Sequence, residues 1–298
     1  MLQYLRKVRA RFNGGLVINP GQSTIDQMKI EFSISKDSSS SANSAEITIY
    51  NLNESHRNSV GKVFDQITLE AGYIPPGDDG NVGVIFKGAV RDVEHRREGP
   101  NILTTISCGD GSKALRRATI SKTFPKGTPV TDVVEDIYKE LEKEGIDRGE
   151  WKFPDDVKSK IFKRPYSVCG SCSDELDTVG RGNKFYWNSQ NEVMEIIPSD
   201  GFVGGVVLIT PETGMIGTPA ITDNGVRVTA LLNPEVRPNR RVQVKSQTLE
   251  MNAADGMYRV SSVTFSGDNH TGDFKMDIEG ESIKGGRVDE GIPKKREG

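Results

Sequence analysis

Cys169-Gly170-Ser171-Cys172 has the spacing most often used for chemistry in this chain. Two thiols held two residues apart can close a redox disulfide or supply half of a zinc site. A zinc site needs a second ligand pair, and Cys108, His56, His95 and His270 are scattered singly along the sequence. Thioredoxin-type use needs a βαβ pattern around the motif, which the flanking residues do not supply. The pair is read as part of a core or as incidental. In the polar run 267–273 (GDNHTGD), Asp268, His270 and Asp273 alternate as metal ligands could. A short polar run between two apolar-alternating segments is more simply a hairpin turn. The Gly-Asp runs at 77–80 and 109–111 lack calcium-loop spacing and also read as turns. Arg237-Pro238-Asn239-Arg240-Arg241 and the stretch 91–97 could touch phosphate. No series of stacking aromatics accompanies them, so they read as solvated faces or subunit contacts. Carboxylates are abundant, but no pair stands out as a glycosidase site. No G-x-S-x-G, H-E-x-x-H or P-loop pattern occurs. No catalytic, cofactor-binding or metal-binding residue is assigned, and no cofactor is expected.

With 298 residues the chain has room for two or three domains. A net charge of −3 argues against a strongly cationic nucleic-acid binder. No apolar run approaches the roughly 20 residues that span a bilayer, so no stable membrane anchor is expected. The N-terminus MLQYLRKVRARF lacks the continuous apolar stretch of a secretion signal and reads as an arm or first strand. Three cysteines do not make a disulfide framework, which fits folding in a reducing cytoplasm.

Around these residues the patterning is mostly that of strands. In 43–53 (NSAEITIYNLN), Ala45, Ile47 and Ile49 share one face, and Met28, Ile30, Phe32 and Ile34 do the same in the preceding run. Alternation returns at 65–72, 84–94 and 101–108, with a Pro/Gly/Asp-rich loop at 73–83. After residue 123, Val130, Val133, Val134, Ile137 and Leu141 fall at helical spacing, with Thr128 as cap, Pro129 as first residue and Gly145 as stop. A second helix is expected at 174–180, started by Ser171 or Ser173, then a hairpin over 185–188 and 193–197. Strand alternation resumes beyond 206. The fold class is mainly β with an α+β insertion, two β-barrels flanking a mixed α/β domain. The expected division is an N-terminal arm (1–13), a first barrel (14–115), the inserted domain (116–204), a second barrel (205–283) and a flexible tail (284–298).

Taken in order, these segments resemble the baseplate hub proteins of long-tailed bacteriophages and related contractile injection devices. The matching stretches are AEITIYNLN (45–53), ITLEAGY (67–73), VIFKGAVRDVEH (84–95), TISCGDG (105–111) and FPKGTPVTDVVEDI (124–137). TGMIGTP (213–219), VRVTALLNPEVRPNRRVQV (226–244) and GMYRVSSVTFSGDNHTGDFKMDIEGE (256–281) continue the series. The signal lies in the series, since each stretch alone is a degenerate strand-and-turn pattern.

The resemblance implies two tail-tube-like barrels in one chain, and a homotrimer presenting six of them as a ring. Such a hub is a structural adaptor between the sixfold tail tube and the threefold central spike, without enzymatic activity. Its implied partners are itself, the tail tube protein and the central spike protein, with tape-measure and baseplate wedge proteins as further contacts. Genome DNA would meet it only by passage through the lumen. Its implied place is the virion's tail baseplate, assembled in the host cytoplasm. Some relatives carry a lytic domain; none is expected beyond Ile283, which leaves lysis to a separate protein. The arm and the 73–83 loop are the expected partner contacts, and truncating residues 1–13 is expected to impair assembly more than folding. The alternatives are a tail-associated cell-wall hydrolase, resting on abundant carboxylates, and a glycan-binding tail-tip module. Against the latter, both tryptophans, Trp151 and Trp187, fall in the middle domain.

Overall fold

A computed structural model describes residues 5–21, 27–74, 81–223, 225–284 and 287–288. The chain enters through β1 (Leu5–Phe12), turns at Asn13–Gly15, and continues through β2 (Val17–Ile18), β3 (Ile30–Asp37) and β4 (Ser44–Tyr50). The period-two pattern is realised directly. β3 buries Ile30, Phe32, Ile34 and Lys36, and β4 buries Ala45, Ile47 and Ile49. Helix α1 (Glu54–Ser59) follows, its N-terminus capped by Asn53 Oδ1 accepting from the His56 N–H at 2.8 Å. Then come β5 (Gln66–Ile74), the long β6 (Asn81–Glu98), β7 (Asn101–Gly109) and the short α2 (Ser112–Arg117).

The middle of the chain holds β8 (Thr119–Phe124), α3 (Val130–Lys143), β9 (Asp147–Trp151), α4 (Asp155–Lys158), β10 (Tyr166–Ser171), α5 (Cys172–Asn183), β11 (Phe185–Ser189) and β12 (Val193–Pro198). α3 buries Val130, Val133, Val134, Ile137, Tyr138 and Leu141 along one stripe. Its cap differs from expectation by one residue. Pro129 is extended and occupies the cap position, while the Thr128 hydroxyl donates back to the Pro125 carbonyl. α5 starts at Cys172, two residues before its expected start, with Ser171 at the cap position. These elements share one core, packed over a two-stranded sheet (β8, β10) and a three-stranded sheet (β9, β12, β11).

The chain then returns to strands: β13 (Val206–Ile209), β14 (Met215–Thr222), β15 (Gly225–Leu231), β16 (Arg241–Val244), β17 (Met257–Asp268), β18 (Phe274–Lys284) and β19 (Arg287–Val288). Here the structure corrects the two-barrel expectation. Among the described residues the early and late strands form one sheet of 14, in the order β14-β15-β18-β17-β3-β4-β7-β6-β5-β1-β2 with β13, β16 and β19 branching from it, and no closed barrel forms. The cause is the free edge of β3. β4 covers one side of β3, and β17 covers the other in antiparallel register from Ser262↔Asp37 to Asp268↔Glu31. The apolar faces merge as well, since a single cluster runs from Val8 through Cys108 and on from Ile209 to Ile278. At the seam, Phe274 packs edge-on against Phe32 (5.7 Å) and Tyr73 (5.1 Å). The Tyr73 hydroxyl donates to the Phe274 carbonyl at 2.8 Å.

Of the two readings of the N-terminus, an arm or a first strand, the structure has the strand. Residues 5–12 are a strand paired along its whole length with β5, from Leu5↔Ile74 to Phe12↔Ile67. Val8, Ala10 and Phe12 are buried there, so removing this segment strips a strand from the main sheet. Within the expected tail, Arg287–Val288 pairs back onto Ile283 and Lys284, and the rest of 285–298 lies outside the described residues. Of the 73–83 loop, Tyr73 and Ile74 belong to β5 and Asn81–Gly83 to β6, while 75–80 lie outside the described residues. No described helix is long and apolar enough to cross a membrane.

Candidate functional site

The inserted unit meets the main sheet through a buried polar joint rather than through apolar contact. Its centre is Asp110, which follows β7 directly and is fully buried. Gly111 next to it has φ +62 and closely approaches Ile146 and Ser189 of the inserted unit; a Cβ there would lie 3.1 Å from each. Opposite stands the two-residue turn between β11 and β12. Asn191 and Glu192 both have positive φ (59 and 61), as a type I′ hairpin turn requires. A glutamate in that conformation is unfavourable, and Asp110 compensates. Its carboxylate accepts from the backbone N–H groups of Asn191 and Glu192, each at 2.6 Å, and from Ser189 Oγ at 3.2 Å.

Three further side chains close the joint. Asn43 Nδ2 donates to Asp110 at 3.0 Å and to the Ser189 carbonyl at 2.9 Å. Gln190 Nε2 donates to the Asp37 carbonyl at 2.8 Å. Lys36, buried at the end of β3, donates through Nζ to Asn191 Oδ1. At the rim Lys87 pairs with Glu192 at 3.1 Å. Burial pushes the Lys36 pKa down to about 8, against the pull of Asp110 and Glu195, with Arg237 adding to the depression. Burial likewise raises Asp110, opposed by Lys36 and its hydrogen-bond donors. Buried charges of this kind cost desolvation, and removing one leaves the other less compensated. The joint can therefore hold the insert in one orientation.

The sequence-singled residues fall elsewhere. Cys169 is exposed in β10 and Cys172 is buried at the start of α5, both as free thiols. Burial raises Cys172 to about 11 and Cys108 to about 12, away from the reactive thiolate range. The run 267–273 is the β17–β18 turn. Asp268 Oδ1 accepts from the N–H groups of His270 and Thr271, and Asn269 Oδ1 from the N–H of Ile30. Arg6 of β1 donates to the carbonyls of Asp268, Thr271 and Gly272. This turn ties β1 and β3 to the β17–β18 hairpin; among the described residues no group of three or more His, Cys, Asp or Glu is placed to hold a metal. The turn 109–111 contains Asp110, whose structural weight the sequence did not reveal. Lys36, Asn43, Asn191 and Glu192 were missed for the same reason, although a lysine on the apolar face of β3 was a visible signal.

The 43 kDa tail protein of prophage MuSo2 from Shewanella oneidensis is similar to the chain, with a TM-score of 0.62 and 11% identity over 95% of this chain and 98% of that one. A tail protein from Neisseria meningitidis MC58 is similar at TM-score 0.61 and 10% identity, over 94% of this chain and 97% of that one. The E. coli c3393 protein, a component of the type VI secretion system with structural similarity to T4 tail proteins gp27 and gp5, is similar at TM-score 0.61 and 11% identity, over 94% of this chain and 78% of that one. The fold is thus that of phage-type tail proteins. The family model of baseplate hub gp41 matches residues 11–280, and the chain belongs to that family. It is a structural component of a phage-type tail baseplate. No curated protein matches its sequence.

Proposed function

We propose that this chain is a homotrimeric hub that joins the sixfold tail tube to the threefold central spike, acting by assembly and not by catalysis. The observation that supports this most is the extent of the family match. Residues 11–280 take in both flanks of the sheet and the insert between them. The strand edges add a physical argument. Among the described residues β14 and β2 end the sheet path, and β13 has β16 as its one partner. Open edges invite uncontrolled pairing unless they are covered. A closed ring of three copies covers them through heterologous contacts that return on themselves. Tape-measure and wedge proteins would meet the ring at its periphery, and DNA would pass through its lumen. Assembly would precede release, in the host cytoplasm.

Native mass spectrometry of the purified chain, alone and mixed with tube and spike proteins from the same tail, tests this. A trimer, formed alone or with the spike, is expected. A monomer that ignores both partners would overturn the adaptor.

A further inference from the structure

The arginines of 237–241 do not lie on a solvated face. Arg237, Arg240 and Arg241 line one recess of about 580 Å³, where Glu235 is the single carboxylate. All three are half-buried, and among the described residues none has a carboxylate within ion-pair distance. Arg240 and Arg241 each keep a buried Nε without a hydrogen-bond partner. Burial and the neighbouring Arg240 lower the pKa of Arg237, with Glu195 opposing. The turn that carries them is rigid. Asn239, at φ +66, donates its N–H to the Val260 carbonyl at 2.8 Å, and Val260 returns a bond to the Arg240 carbonyl at 2.8 Å. Arg241 also stacks over the Phe202 ring at 4.3 Å, and Glu195 is the nearby negative charge for Arg237 and Arg240. Three half-buried guanidinium groups on a fixed turn, without an ion-pair partner among the described residues, leave a net positive recess suited to an anion.

The walls of the recess identify what carries that anion. On one side is β13, an edge strand with Val206 and Leu208 exposed. On the other is the start of β6, Asn81–Gly83, which β7 does not reach because its pairing with β6 begins at Ala89. The recess thus lies between two strand stretches. An edge strand beside the arginines, with Val206 and Val207 lining the recess, suits an extended polypeptide adding as a strand. It does not suit a phosphodiester backbone, which offers no matching donors.

We propose that this recess is a docking site for an extended, carboxylate-bearing segment of another protein molecule, which adds as a strand beside β13 and places its acidic side chains on Arg237, Arg240 and Arg241. The site goes beyond the hub reading and does not require it, because a monomer can bind such a segment.

The test uses the full chain and fluorescein-labelled peptides of alternating Val and Glu, and of alternating Val and Lys, followed by anisotropy. The acidic peptide should bind and the lysine peptide should not. Arg237→Gln combined with Arg241→Gln should weaken binding about tenfold or more. Hydrogen exchange on the wild-type chain supplies a readout that does not depend on the variant folding. The acidic peptide should protect the amides of 205–209 and 81–83. Equal binding of both peptides, no binding, protection elsewhere, or tighter binding of a short DNA duplex than of the acidic peptide would each overturn the proposal.

Discussion

Two junctions hold this molecule together, and they are built on opposite principles. The seam between the early and late strands is a hydrogen-bonded ladder, β17 on β3, over an apolar layer that includes Phe32, Tyr73 and Phe274. The joint between sheet and insert is a knot of buried polar groups around Asp110 and Lys36. Apolar burial is non-directional and tolerates small shifts, so the seam fuses two regions into one cooperative body. Buried polar groups tolerate no misalignment, because an unpaired one pays its full desolvation cost. The joint therefore contributes orientation more than stability. That combination suits the adaptor role we propose, in which a rigid sheet would present a separate unit at a fixed angle.

The largest effect expected is from deleting residues 1–13. This removes β1 from its pairing with β5 and β2, and the chain should lose its cooperative thermal transition. An unchanged melting curve would show that the sheet does not depend on its N-terminal strand. Next, Phe274→Ala at the seam should cost about 4 kcal/mol in chemical denaturation, the usual range for a buried phenylalanine. It should lower protection in β3 and β18 alike. Asp110→Asn at the joint removes the larger of the two negative charges acting on Lys36 and an acceptor for the 191–192 N–H groups, and should cost about 3 kcal/mol. Its signature is local, with faster exchange in the 189–193 turn and little change at the seam.

A pH series sharpens the contrast. Lys36 titrates at about 8 in the folded chain and at the ordinary 10.5 when unfolded. Below pH 8 both states carry the proton, and the cost of burying the charge is fully present. From there to 10.5 the unfolded chain binds more protons, so the folded state gains stability as pH rises. The gain is on the order of 3 kcal/mol. Comparing wild type with Lys36→Met across that window isolates it from other lysines and tyrosines; parallel curves would show that Lys36 is not buried as described. The smallest effect belongs to the thiol pair. Cys169→Ser should change stability by less than about 0.5 kcal/mol. Alkylation under native conditions should modify Cys169 and spare Cys108 and Cys172.

The strands and the α3 stripe were legible because period two and period 3.6 are local signals, carried by runs such as Ile30–Phe32–Ile34 and Val133–Val134–Ile137. The merger of the flanks was not legible. It rests on the register between 262–268 and 31–37, distant stretches that carry no mutual signature. The joint was hidden by ordinary turn residues. Asp110 sits in a Gly-Asp-Gly run that reads as a loop, and Asn191-Glu192 lacks the glycine that usually marks a type I′ turn. The basic cluster at 237–241 was visible as charge, but only the fold sets it in one recess with β13 and the start of β6.

Native-state hydrogen exchange followed by mass spectrometry tests the contrast most directly. The amides of 30–50, 101–109 and 257–284 should exchange together at the free energy of global unfolding, while 119–198 opens as a separate unit at lower cost. Exchange of 257–284 independently of 30–109 would contradict the account, showing two bodies where the structure has one sheet.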